Sequence, residues 1–144
     1  MKQFVIVGIL LLSVGRVLAC DGPENRPGET IDVTFAQNSS AIDGTNMLAL
    51  ANWLIDLRLK YPILESSSVV GLADAKESNP KMLAEARAAN VSRSLDFFGI
   101  HASRVSVIGR VYKPMLPGSA YEPIGTRAEV TLVPGCPNNC CDGQ

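Results

Sequence analysis

An aspartate and an arginine are the residues whose types and spacing point most directly to a ligand. Asp74 ends the apolar segment Gly71-Leu-Ala-Asp74, where a short buried strand is expected to stop, and Arg87 follows thirteen residues later in a helical segment. Arg87 comes three residues after Ala84 and four before Val91, at the border of the buried stripe of that helix. One carboxylate and one guanidinium are therefore expected to flank the same crevice.

This pair suits a ligand that carries both an ammonium and a carboxylate group. An aspartate accepts hydrogen bonds from an ammonium, and a guanidinium binds a carboxylate through two parallel hydrogen bonds. The same spacing also fits a plain structural ion pair between Asp74 and Arg87. The spacing alone leaves both interpretations open.

The other reactive side chains give no support to catalysis. His101, the single histidine, follows the glycine that closes the second predicted helix, and we expect it to be a loop or surface residue. The sequence places no serine or cysteine beside it, so a nucleophile–base pair has no basis. We therefore predict a protein that is not an enzyme and that uses no cofactor and no metal.

Four cysteines lie near the two ends of the chain, at Cys20, Cys136, Cys140 and Cys141. The last three lack a fourth metal ligand of matching spacing, and disulfides are the expected state in an exported protein. Adjacent cysteines rarely pair with each other. Cys136 is therefore expected to pair with either Cys140 or Cys141, and Cys20 with the remaining one of these two. This pairing requires that Cys20 carries no lipid.

The first nineteen residues have the features of a secretory signal peptide. Lys2 precedes an apolar run over residues 4–12, and the small residue Ala19 ends the segment. The run is shorter than the roughly 20 residues that a membrane-spanning helix needs. Val17-Leu-Ala-Cys20 resembles a bacterial lipobox, in which the cysteine is lipidated and becomes the mature N-terminus. Ordinary cleavage, which leaves Cys20 available for a disulfide, is the alternative.

Charge and composition narrow the classes of function. Lys and Arg total 13 against 14 Asp and Glu, a net charge of −1, so no broad cationic surface exists for nucleic acid. With 47% hydrophobic and 19% charged residues, the chain has the composition of an ordinary globular protein. One or at most two domains fit its 144 residues.

Two amphipathic helices are predicted in the middle of the chain. Asp43 or Thr45 is expected to cap the first helix, which Pro62 stops, while Asn79 and Pro80 begin the second. The apolar stripes recur at steps of three and four, at Met47, Leu50, Leu54, Leu57 and Tyr61 and at Ala84, Ala88, Val91, Leu95 and Phe98.

Strand patterns alternate with these helices. They cover residues 31–35, 68–72, 104–111 and 127–133. Because two helices suffice to cover one face of a sheet, we predict an α/β (α+β) fold, a two-layer sandwich in the order β-α-β-α-β-β. The predicted organisation is a signal peptide over 1–19, a tether over 20–30, a domain over 31–133 and a cysteine-rich tail over 134–144.

Five segments carry a resemblance to a known family. Gly71-Leu-Ala-Asp74 is similar to its Gly-His-Thr-Asp, and the segment at 83–91 is similar to its Leu-Ser-x-x-Arg-Ala-x-x-Val. The segments at 33–42, 98–105 and 126–130 are also similar to segments of this family, and all five occur in the same order along the chain as in the family. Through them, residues 31–133 resemble the OmpA-like peptidoglycan-binding domain of Gram-negative envelope proteins.

The resemblance implies a fold, a ligand and a location. The fold is the β-α-β-α-β-β sandwich with two helices on one face of a mixed sheet, and the activity is non-covalent binding without a metal. Asp74 and Arg87 would bind the diaminopimelate residue of the peptidoglycan stem peptide, and backbone groups near Asn38 would line the pocket. The protein would lie in the periplasm or cell envelope, and a lipidated Cys20 would attach it to the outer or inner membrane.

Two departures from the family pattern favour a second function. Leu72 and Ala73 stand where the family has His and Thr, so a hydroxyl donor is missing beside Asp74. The alternative is a structural component of an envelope or secretion assembly. Such a protein would keep the fold, have a decayed peptidoglycan site and bind protein partners.

Overall fold

The computed structural model describes residues 28–135. Within this range lie β1 (Glu29–Thr34), α1 (Gly44–Lys60), β2 (Leu64–Ala73), α2 (Pro80–Phe97), β3 (Arg104–Val111) and β4 (Arg127–Pro134). The predicted signal peptide, Cys20 and the three cysteines of the tail lie outside the described residues. In the described range, no helix combines the length and the apolar character that crossing a membrane requires.

The described strands form a mixed sheet in the order β1-β4-β2-β3. β4 runs antiparallel to both β1 and β2, whereas β2 and β3 are parallel and are joined through α2. The predicted element order and the α+β class are therefore confirmed. β1 begins two residues earlier than the predicted strand, at Glu29.

One face of the sheet and the two helices enclose the core. Side chains alternate along β4, so that Ala128, Val130 and Leu132 are fully buried while the residues between them are partly exposed. α1 contributes Leu50, Leu54 and Leu57 to this core, and α2 contributes Ala88, Val91 and Leu95. Both helices thus cover the same face, as the apolar stripes predict.

Both helices begin at the predicted residues, but only the first has a side-chain cap. Asp43 caps α1, because its side chain accepts a hydrogen bond of 2.7 Å from the backbone N–H of Asn46. Asn79 precedes α2 with φ 48°, a left-handed conformation, and its side chain makes no capping bond. Pro80 follows at the first helical position, where its missing N–H has no cost.

Two glycines allow α2 to lie directly on the sheet. A Cβ atom at Gly71 would come within 2.1 Å of the carbonyl oxygen of Ala84, and one at Gly109 would come within 2.3 Å of the backbone nitrogen of Glu85. No side chain fits at either contact. This close approach fixes the depth at which α2 sits, and so the position of Arg87.

The central strand β2 is longer than the sequence predicts. Its first half contains a run of three serines, 66–68, which has no apolar alternation. The backbone there pairs with β4 on one side and β3 on the other, from Ser66 onward. Two neighbours therefore hold this segment in the strand despite its polar side chains.

Candidate functional site

Arg87 extends its side chain from α2 into the interior of the protein, where it reaches the end of β2. Its side chain is completely inaccessible to solvent, although the sequence places it only at the border of the buried stripe. The guanidinium lies over the ring of Phe35, with Cζ 5.2 Å from the ring centroid. A charge at this depth requires a counter-charge and complete hydrogen bonding.

Five hydrogen bonds satisfy the guanidinium of Arg87. Nε donates to the carbonyl of Ser39 at 2.8 Å, while Nη1 donates to the carbonyl of Leu72 at 2.9 Å and Nη2 to that of Ala36 at 3.2 Å. The two remaining bonds form a fork to Glu77, each 2.7 Å long. A guanidinium has five N–H donors, so all of them are used within the described part of the chain.

Glu77 is the counter-charge of Arg87, and its carboxylate accepts four hydrogen bonds. Besides the fork from Arg87, Oε1 accepts from the backbone N–H of Asn38 at 2.7 Å and Oε2 from the backbone N–H of Asp74 at 2.9 Å. These two N–H groups and the guanidinium together form the carboxylate site. Its donors hold the pKa of the Glu77 carboxyl below its usual value, with the Arg87 contact as the largest cause.

A turn between β1 and α1 supplies one wall of the carboxylate site. Asn38 adopts a left-handed conformation there, with φ 56°, and its side-chain oxygen accepts a hydrogen bond of 2.7 Å from the backbone N–H of Ser78. Asn90 of α2 donates a further hydrogen bond of 2.6 Å to the carbonyl of Ser40. The turn, the loop before α2 and α2 itself are therefore tied together around Arg87.

Asp74 lies at the rim of the site and does not pair with Arg87. Its backbone N–H donates to Glu77, and its side-chain Oδ1 accepts a hydrogen bond of 2.9 Å from the backbone N–H of Lys76. Among residues 28–135, the ion pair of Arg87 is made with Glu77. The plain structural ion pair considered for Asp74 and Arg87 is thus replaced by one between Glu77 and Arg87.

The structure brings all three predicted binding residues to one place, Asp74 and Asn38 through their backbone N–H groups and Arg87 through its side chain. Glu77 was missed by the sequence reasoning. A signal for it existed, because an arginine three residues after Ala84 on a buried stripe requires a nearby acid. The loop before the helix offers Asp74 and Glu77, and the spacing does not distinguish between them.

The other residues considered for chemistry lie apart from this site. His101 is exposed in the loop between α2 and β3. Within the described range, no group of three His, Cys, Asp or Glu residues is arranged to hold a metal ion. The candidate lipidation and disulfide residues, at Cys20, Cys136, Cys140 and Cys141, lie outside that range.

Three solved structures illustrate what the chain is similar to. The OmpA-like domain of FopA1 from Francisella tularensis gives a TM-score of 0.58 at 20% identity, covering 74% of this chain and 73% of that chain. The periplasmic domain of Helicobacter pylori MotB gives 0.54 at 19% identity, with coverages of 78% and 80%. The cell wall anchor of the T6SS from Pseudomonas aeruginosa gives 0.55 at 22% identity, with coverages of 75% and 82%.

These similarities show the fold of the chain. No protein-family model and no curated protein matches it. The resemblance to OmpA-like domains is confirmed at the level of the fold: the described part of the chain has the OmpA-like fold, with two helices on one face of a mixed four-stranded sheet.

Proposed function

We propose that this OmpA-like protein binds peptidoglycan without catalysis, as a component of the cell envelope. The ligand is the diaminopimelate residue of the stem peptide, and the binding residues are Asp74, Arg87 and the turn at Asn38. The observation that carries the proposal is the carboxylate site, because it shows Arg87 and two backbone N–H groups already arranged to hold one carboxylate.

Asp74 supplies the second half of the recognition. Its side chain is partly exposed at the rim of the carboxylate site, and among residues 28–135 its Oδ2 has no hydrogen-bond donor. An ammonium group next to a bound carboxylate would find this oxygen available. A zwitterionic amino-acid group, such as the end of a diaminopimelate side chain, matches that pair of charges.

The similar structures support the choice of ligand and location. One is named as the cell wall anchor of the T6SS and another as a periplasmic domain of MotB. The proposed location is accordingly the periplasm or cell envelope. A lipid on Cys20 would tether the domain to a membrane. Without the lipid, Cys20 would instead join the three tail cysteines in disulfides.

Co-sedimentation with purified sacculi tests the proposal. We expect the purified protein to pellet with sacculi and Asp74→Asn to bind about tenfold more weakly, because the variant loses the charge that faces the ammonium. Asp56→Asn is the matched control, since Asp56 is an exposed acid on α1. If the parent stays in the supernatant, or if both variants pellet equally, the proposed site is wrong.

A second function, a structural role in an envelope assembly, is favoured by one specific observation. Leu48, Ile55 and Leu59 follow one another at steps of seven and four on α1 and are 62%, 57% and 83% exposed. These spacings put them on a single outer face of the helix, opposite its buried leucines. An apolar stripe of this kind is typical of a surface that contacts another protein.

Photo-crosslinking in cells tests this second function. A crosslinker at position 55 is expected to trap an envelope protein, and one at the exposed position of Asp96 serves as the control. Adducts that form from position 55 alone, together with no binding to sacculi, would favour the assembly component. The absence of adducts from both positions would count against it.

A further inference from the structure

We infer that Glu77 is an intramolecular ligand of the carboxylate site, and that a carboxylate from another molecule takes the same place when Glu77 leaves. This inference rests on the proposed function, because it says how the peptidoglycan site is closed at rest. The site would then bind a ligand carboxylate only in competition with the Glu77 side chain.

The geometry of the bound carboxylate is that of a ligand site. Each oxygen of Glu77 receives one bond from the guanidinium fork and one from a backbone N–H, with all four lengths between 2.7 and 2.9 Å. The donors come from three separate elements: the turn after β1, the end of β2, and α2. They are therefore held in place by the fold and not by Glu77 alone.

The other partners of Arg87 would keep its guanidinium oriented in the absence of the Glu77 carboxylate. Three of its five hydrogen bonds go to backbone carbonyls of Ala36, Ser39 and Leu72. The stacking on Phe35 is likewise independent of Glu77. If the Glu77 side chain is withdrawn, the guanidinium stays oriented with two donors directed at the vacated place. An unpaired buried charge there strongly favours entry of another anion.

The loop that carries Glu77 has few other contacts with the interior. Its neighbours Ala75, Lys76, Ser78 and Asn79 are all exposed, whereas Glu77 is 5% exposed. Withdrawal of the carboxylate therefore removes one buried side chain and leaves the apolar core intact. The Glu77 side chain is thus the buried contact that holds the loop over the site, beside the hydrogen bond that the backbone N–H of Ser78 donates to the side chain of Asn38.

Rescue by a small carboxylate tests the inference without peptidoglycan. Glu77→Ala removes the internal carboxylate and leaves room for one, so sodium acetate is expected to raise its Tm above that in sodium chloride of equal ionic strength. We expect a difference of roughly 4 °C or more at saturating acetate. The parent and the exposed-site control Glu85→Ala are expected to behave alike in the two salts. An equal response of all three proteins would overturn the inference.

Binding to sacculi by Glu77→Gln is the second measurement, and it also serves if Glu77→Ala does not fold. Glutamine fills the same volume, but it offers one acceptor oxygen and turns an NH₂ group towards the donors of the site. A ligand carboxylate then competes with an amide side chain that binds the site more weakly than the Glu77 carboxylate does. We expect Glu77→Gln to bind sacculi about tenfold more tightly than the parent and than Glu85→Gln.

The two measurements separate the inference from the proposed function. Acetate rescue without any binding to sacculi would uphold the carboxylate site and reject peptidoglycan as its ligand. A parent that binds sacculi, with no acetate rescue and no gain in Glu77→Gln, would uphold the proposed function and reject Glu77 as an intramolecular ligand.

Discussion

The Glu77–Arg87 pair sets the electrostatics of the site at the level of single residues. Both side chains are fully buried, so neither charge is solvated by water. Such a pair tolerates burial only because every donor and acceptor is matched, and removing one partner leaves the other charge uncompensated. The two residues are therefore expected to be coupled in stability.

Glu77→Gln tests this coupling through stability. The substitution keeps the volume and removes the negative charge, so the free energy of unfolding at neutral pH is expected to fall by about 3 kcal/mol. Glu85→Gln, an exposed change on α2, is expected to stay within about 0.5 kcal/mol of the parent. Urea denaturation measures both. A loss in Glu77→Gln no larger than in Glu85→Gln would show that the pair does not stabilise the fold.

The pH dependence of stability follows from the lowered pKa of Glu77. Because the pKa is lower in the folded than in the unfolded protein, the contribution is present above the unfolded pKa and is lost as pH falls through the folded pKa. The difference in unfolding free energy between the parent and Glu77→Gln should stay constant down to about pH 5 and shrink below about pH 4.3. A difference in unfolding free energy that disappears between pH 7 and 6 would contradict a lowered pKa of the Glu77 carboxyl in the folded protein.

At the scale of elements, the contact of α2 with the sheet positions the site. Gly71→Ala would place a Cβ atom 2.1 Å from the Ala84 carbonyl oxygen and 2.6 Å from the Ala88 nitrogen, so the helix must move outward. We expect a loss of about 1–3 kcal/mol in unfolding free energy. Gly44→Ala is the control, because nothing lies within 4 Å of its added Cβ.

Binding to sacculi extends the same comparison to function. The outward shift in Gly71→Ala moves Arg87 away from the carbonyls that hold it, so weaker binding is expected, whereas Gly44→Ala should bind like the parent. Thermal unfolding of both variants gives the stability difference. A Gly71→Ala variant as stable as the parent would mean that α2 is not held at the contact with Gly71.

Elements with strong patterns could be predicted from the sequence, and those that depend on neighbours could not. Both helices follow from apolar stripes and from residues such as Asp43 and Pro80. The first half of β2 could not be predicted, because its serines enter the strand through pairing with β4 and β3. The left-handed conformation of Asn79 could not be predicted either, since asparagine there is equally suited to an ordinary cap.

At the scale of the whole molecule, the fold was easier to predict than the state of the site. Asp74, Arg87 and Asn38 follow from the resemblance, and the structure brings them together. The pairing of Arg87 with Glu77 depends on how deeply α2 packs and on where the turn at Asn38 lies. Those are tertiary facts, so spacing along the chain indicates a charged site without showing which acid closes it.

One measurement tests the central claim most directly: amide and guanidinium spectra of isotope-labelled protein during titration with a stem peptide that contains diaminopimelate. If the ligand carboxylate replaces Glu77 at the carboxylate site, the backbone N–H signals of Asn38 and Asp74 and the Nη–H signals of Arg87 should shift together and saturate. In Glu77→Gln the same shifts should appear at lower peptide concentration. Unchanged signals at these three groups, or shifts confined to the outer face of α1, would contradict the claim.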